Sequence, residues 1–195
     1  MVFFAMTAFI GVYAVSVAIS DGNTAGQAVR SAARYGAQVG GNNYRTTALD
    51  PCQGGTRTNP CHVDAAMLGN VLEGLTDMRF ATVKQVVFYE PCAGGCGTAC
   101  VAGSANSPYN SGTDRGEVYV YGGSGPMTSA ASYSMVAGRQ PASGAYTLDL
   151  RNQTHPREAA IGVEVDYTYQ SPTPLVRVTL SSLKEFTVNC FAPTG

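Results

Sequence analysis

Charge is scarce in this sequence and is absent from its first 20 residues. Only 13% of the 195 residues are charged, lysine occurs just twice, and no basic run is present. Proteins that bind nucleic acid have clusters of Lys and Arg side chains that contact the phosphate backbone. This composition therefore argues against a nucleic-acid partner. The formal net charge of −1 points the same way.

Catalytic motifs are also missing. There is no G-x-S-x-G element, and the only two histidines, His62 and His155, stand beside turn residues. The glycine-rich stretches lack the strand and helix that flank phosphate-binding loops. Glu164 and Asp166 share the polar face of a predicted strand, which we expect to be solvated. We therefore expect no active site, no enzyme activity and no cofactor.

The six cysteines all follow residue 50, and their number is even. They lie in the part of the chain that we expect to be outside a membrane. An even number of cysteines there favours disulfides formed in an oxidising compartment. Three of them form C-x3-C-x3-C, a spacing that matches neither paired zinc half-sites nor iron–sulfur motifs, so we expect no metal. The disulfide candidates are Cys52, Cys61, Cys92, Cys96, Cys100 and Cys190. Cys52 with Cys61 is the easiest pair and closes a short loop, but six cysteines allow 15 connectivities and the pairing stays open.

The N-terminal region predicts one helix of about 38 residues, on the order of 57 Å long. Beyond Asp21 small apolar residues recur at i, i+3, i+4 and i+7, with polar residues between them. Such a face suits docking of the helix on a sheet. Its members are Ala25, Ala28, Val29, Ala32, Ala33 and Gly36.

Residues 1–20 have the length and composition of a membrane-spanning helix. They lack the basic start of a secretory signal, and their apolar stretch of about 20 residues is longer than such a signal has, so we expect any basic leader to lie upstream. Thr7, Gly11, Ala14 and Ala18 form one stripe of small residues that lets helices approach closely. The residues assigned to helix assembly are Phe3, Phe4, Thr7, Gly11, Ala14 and Ala18.

The rest of the chain predicts one further helix and several strands. The helix covers residues 63–75, and Gly40-Gly41 ends the first helix. Strands are predicted at 79–90, 117–121, 145–150 and 161–169, and again from Val176 to Cys190 after a proline-rich turn. The last two should pair antiparallel. We predict an α+β fold, with an assembly helix at 1–40 and a disulfide-containing exterior domain at 41–195.

Three segments together resemble the TadE-like minor pilins of the type IV pilin-like superfamily, which belong to tight-adherence pili. They are the apolar opening MVFFAMTAF, the helix end AVRSAARYGAQVG and the strand–turn–return segment VEVDYTYQSPTPLV. Members usually carry a glutamate near the start of the helix, where Phe3 stands in this chain. The resemblance touches about a third of the sequence.

The resemblance implies a pilin-like fold and a structural subunit of an extracellular filament. Such a subunit is inserted in the inner membrane before assembly. It then polymerises at the cell surface, with copies of itself or with other pilins, through its N-terminal helix. The alternative, of a different class, is a monomeric binding module anchored in the envelope membrane.

Overall fold

The computed structural model describes residues 2–39, 62–90, 108–109, 115–135, 160–170 and 179–190. Within these ranges the chain is α+β, with a long N-terminal helix and a five-stranded antiparallel sheet. The predicted fold class is confirmed.

The first helix, α1, runs without a break over Val2–Val39, as the sequence predicts. No proline occurs in it, and Gly22, Gly26 and Gly36 are tolerated because the second half of the helix is packed against the domain. The second helix, α2, covers His62–Gly74 and matches the predicted one.

The sheet contains five strands in the order β3-β2-β1-β4-β5, and each neighbouring pair is antiparallel. The strands are β1 Ala81–Glu90, β2 Arg115–Tyr121, β3 Tyr133–Met135, β4 Ala160–Gln170 and β5 Thr179–Cys190. The predicted antiparallel pairing of the last two strands is confirmed. The three-residue β3 was not predicted, and the strand expected at 145–150 lies outside the described residues.

Both helices cover the same face of the sheet. From α2, Met67, Leu68, Val71 and Leu72 are buried against α1 and the sheet. The two helices come close at Gly74, where an added Cβ would lie 2.7 Å from the Cβ of Ala28 and 3.0 Å from its Cα. A glycine that looks unfavourable for helix formation is therefore required by the packing of α2 on α1.

The opposite face of β4 differs from the sequence-based expectation, because Glu164 and Asp166 are not solvated. Glu164 is 0% exposed, and its Oε1 lies 2.7 Å from Nζ of Lys184 on the neighbouring strand. The backbone N–H of Tyr109 donates to its other oxygen at 2.8 Å. Tyr109 therefore lies against the outer face of the sheet at this point.

Candidate functional site

The first half of α1 carries an exposed apolar surface. Phe4 is 82% exposed, Phe9 77% and Val12 67%, although all three are large and hydrophobic. The exposed large residues are Phe4, Met6, Phe9, Val12, Tyr13, Val15 and Ile19. We call this set the bulky surface of α1. The helix is long and apolar enough to cross a membrane, by length and composition.

The small-residue stripe of the first half lies on another side of the helix. Ala14 is buried, Gly11 and Ala18 are half-buried, and Thr7 is exposed. The carbonyl oxygen of Ala14 accepts the hydroxyl of Tyr169 at 2.9 Å. From Ala14 onward the stripe therefore faces the domain of its own chain. Of the other assembly candidates, Phe4 is exposed, and the side chain of Phe3 lies outside the described residues.

The second half of α1 is embedded in the domain. All six residues assigned to docking from the sequence are buried, together with Asp21 and Gly26; the six are Ala25, Ala28, Val29, Ala32, Ala33 and Gly36. Small side chains let neighbouring residues come close: a Cβ added at Gly36 would lie 2.8 Å from side-chain atoms of Ile161 and Met67. The helix thus packs on β4 and α2 with little space between the elements.

A buried carboxylate marks the boundary between the two halves. Asp21 is 3% exposed, and its carboxylate accepts the backbone N–H groups of Phe80 and Arg79. Its Oδ2 has no hydrogen-bond partner among the described residues. Burial raises the pKa of Asp21, and the two backbone hydrogen bonds oppose that rise without cancelling it. The first charge of the chain therefore points into the domain.

A second carboxylate lies against α1 one turn further on. A Cβ added at Gly22 would lie 3.7 Å from Oε1 of Glu185, and one added at Gly26 would lie 3.5 Å from Oε2. Two glycines four residues apart thus make room for this β5 side chain. Burial raises the pKa of Glu185, while the nearby charge of Arg30 lowers it. Burial also raises the pKa of the neighbouring Tyr167 to about 12.

A polar groove that the sequence does not predict lies on the solvent side of both helices. It has a volume of about 520 Å³ and is lined by Gln27, Arg30, Ser31, Arg34, Tyr35 and Asn70. Arg30 and Arg34 are one helical turn apart, a spacing that the sequence does contain. Asn70 comes from α2, and only the packing of the two helices brings it beside them.

Few of the cysteine predictions fall on described residues. Cys52, Cys61, Cys92, Cys96 and Cys100 lie outside them, and only the backbone of Cys190 is described, at the end of β5 opposite Ala160. The disulfides therefore stay a prediction. Among the residues that the structure describes, no group of three or more His, Cys, Asp or Glu side chains is placed to hold a metal ion.

Among the described residues, the element with the clearest functional character is therefore α1. One half of it is buried in the domain, and the other presents large apolar side chains to the surroundings. Comparison with known proteins adds nothing to this picture: no family model, no curated protein and no solved structure matches the chain.

Proposed function

We propose that this chain is a pilin-like structural subunit that is held in a membrane by the first half of α1 and then polymerises through it. The observation that supports the proposal is the division of one continuous helix. Residues 21–37 are packed into the exterior domain, and residues 4–20 carry the bulky surface, which has no cover within the described chain.

The bulky surface is suited both to insertion in a membrane and to polymerisation. In a bilayer, an uncharged helix satisfies its backbone groups internally and leaves its side chains in hydrocarbon. On leaving the bilayer, large apolar side chains such as Phe9, Val12 and Ile19 are unfavourable in water. Packing against the same surface of other copies removes them from water again. The assembly contacts would therefore be made mainly by bulky residues, since Ala14 is already covered by Tyr169.

Photo-crosslinking in cells tests this proposal. A photoreactive amino acid replaces Ile19, which is 59% exposed on the bulky surface, and the matched variant carries it at Gln27, which is exposed on the polar side of the same helix. We expect material sheared from the cell surface to contain the chain. We also expect self-adducts from position 19 to exceed those from position 27.

The alternative, a monomeric binding module anchored in the membrane, is favoured by the polar groove that includes Arg30 and Arg34. In that case the chain would stay in the membrane fraction after shearing. It would give no self-adduct from position 19, and this outcome would contradict the filament proposal.

A further inference from the structure

The end of the sheet and the end of the uncharged segment lie at the same level along α1. The backbone N–H groups of Phe80 and Arg79 bind Asp21, the first charged residue of the chain. The N–H of Gln170, the last residue of β4, donates to the carbonyl oxygen of Phe80 at 2.8 Å. We call Arg79, Phe80 and Gln170 the sheet end.

The helix has no spacer between the sheet end and its uncharged segment, because α1 is continuous from Val2 to Val39. Residues 4–20 extend about 25 Å at roughly 1.5 Å per residue. The hydrocarbon core of a bilayer is about 30 Å thick. The apolar part of the helix is therefore fully used in spanning the bilayer, and none of it is left to hold the domain away from the surface.

Moving the domain along the bilayer normal, either away from the bilayer or into it, is unfavourable. Raising it would draw Ile19 and Val15, both 59% exposed, out of hydrocarbon into water. Lowering it would bring Asp77, Arg79 and Gln170, all exposed, into hydrocarbon. The exposed groups on either side of Asp21 thus fix the depth of the domain.

The position and hydrogen bond of the Tyr169 side chain agree with this depth of the domain in the bilayer. The side chain extends from β4 along the helix to the carbonyl oxygen of Ala14, seven residues before Asp21 and so about 10 Å deeper. Tyr169 is 2% exposed, and its hydroxyl donates to that oxygen at 2.9 Å. A hydroxyl with an internal partner is what a low-dielectric environment requires.

We propose that the sheet end rests directly on the headgroup layer of the bilayer in which α1 is inserted, so that the partner of this surface is a lipid surface. The inference depends on the membrane insertion proposed above and adds an orientation and a depth for the domain. Arg79 and Gln170 would contact headgroups, and Tyr169 would lie below them against the helix.

The chain contains no tryptophan, so single tryptophans report depth without background. The full chain is reconstituted in phosphatidylcholine vesicles that carry a spin label either at the headgroup or deep in the acyl chains. Three variants are compared: Phe9→Trp in the uncharged segment, Phe80→Trp at the sheet end and Tyr35→Trp at the far end of α1. Gln170→Trp is a second reporter at the sheet end in case Phe80→Trp does not fold, as judged by circular dichroism.

We expect the deep label to quench Phe9→Trp most strongly and the headgroup label to quench Phe80→Trp and Gln170→Trp. Because Tyr35 lies 14 residues beyond Asp21, about 21 Å further along the helix, quenching by the headgroup label should be at least about twofold greater at the sheet end than at Tyr35→Trp. Quenching of Phe9→Trp without quenching at the sheet end would show that the domain lies away from the bilayer surface. Strong quenching of the sheet-end tryptophans by the deep label would show that the domain is inserted in the hydrocarbon. Either result overturns this inference while membrane insertion stands. An unquenched Phe9→Trp would overturn both.

Discussion

The two halves of α1 have the same helical geometry and differ in the side chains on their exposed side. In residues 21–37 the small residues face inward, as with Ala32 at 0% exposure, and polar residues such as Gln27 face solvent. In residues 4–20 Ala14 is buried and Ala18 is half-buried on the side of the domain, while large residues such as Phe9 point away from it. The side of α1 that faces the domain is therefore continuous from Ala14 onward, and what changes at Asp21 is the chemistry of the exposed side.

This difference assigns separate roles to the small and the large residues, which a helical-wheel projection of the sequence does not distinguish. Small residues near the start of an apolar helix are usually assigned to contacts between helices. Here Ala14 contacts Tyr169 of its own chain, and the large side chains remain exposed. The described chain thus combines tight packing on one side of the helix and a large apolar area on the other.

The largest expected effect comes from placing the same charge in each half. Val29→Asp puts a carboxylate at a position that is 0% exposed, and we expect it to lower the free energy of unfolding by about 4 kcal/mol or more. Val12→Asp lies at a position that is 67% exposed. We expect it to change domain stability in detergent by less than about 0.5 kcal/mol but to oppose bilayer insertion by about 2.5–3.5 kcal/mol.

Denaturant unfolding in detergent and vesicle flotation measure these two effects separately. The expected result is a crossover: Val29→Asp unfolds easily, whereas Val12→Asp is stable and fails to float. If both variants lost domain stability equally, the two halves of α1 would not have separate roles.

A smaller effect is expected where α2 contacts the second half of α1. Gly74→Ala forces a Cβ against Ala28, including its backbone, and we expect a loss of about 1–3 kcal/mol. Gly69→Ala is the matched control, because a Cβ there has nothing within 4 Å. Alanine favours helix over glycine, so this control should gain up to about 1 kcal/mol. Equal gains from both substitutions in thermal melting would contradict the close approach of the helices.

The elements of the fold were predictable because their signals are local. The alternation from Ile161 to Tyr169 predicts β4 and its buried face, and the spacing from Ala25 to Gly36 predicts the packed half of α1. In contrast, β3 has only three residues, too few for a periodic signal. Glu164 looked solvated because its cover, Tyr109, is 55 residues away in the chain. Contacts between distant segments leave no mark on the local pattern.

The candidate site likewise contains features that the sequence predicts and features that it does not. The six docking residues follow from periodicity, whereas the direction of the small-residue stripe depends on where β4 ends. Tyr169 reaches Ala14 only because β4 runs antiparallel to α1 and stops at the level of Asp21. That level depends on strand length and register, which single-sequence patterns specify poorly.

The smallest expected effect lies at Asp21, the boundary between the halves, and it is a change in pH dependence. Burial raises the pKa of this carboxyl in the folded chain. Its stabilising contribution is therefore complete below the pKa of the unfolded chain and is lost as pH rises through the higher folded pKa. Asp21→Asn keeps an oxygen for the N–H groups of Phe80 and Arg79 and removes the titration.

Melting temperatures measured in detergent between acidic and neutral pH test this prediction. We expect Asp21→Asn to lose less stability than the wild type as pH rises. The control Asp77→Asn makes the same change of charge at an exposed position and should follow the wild-type curve. Glu185 titrates in the same direction and remains in every variant, so the curves should differ in slope without becoming flat. Parallel curves for wild type and Asp21→Asn would contradict the raised pKa of this buried carboxyl in the folded chain.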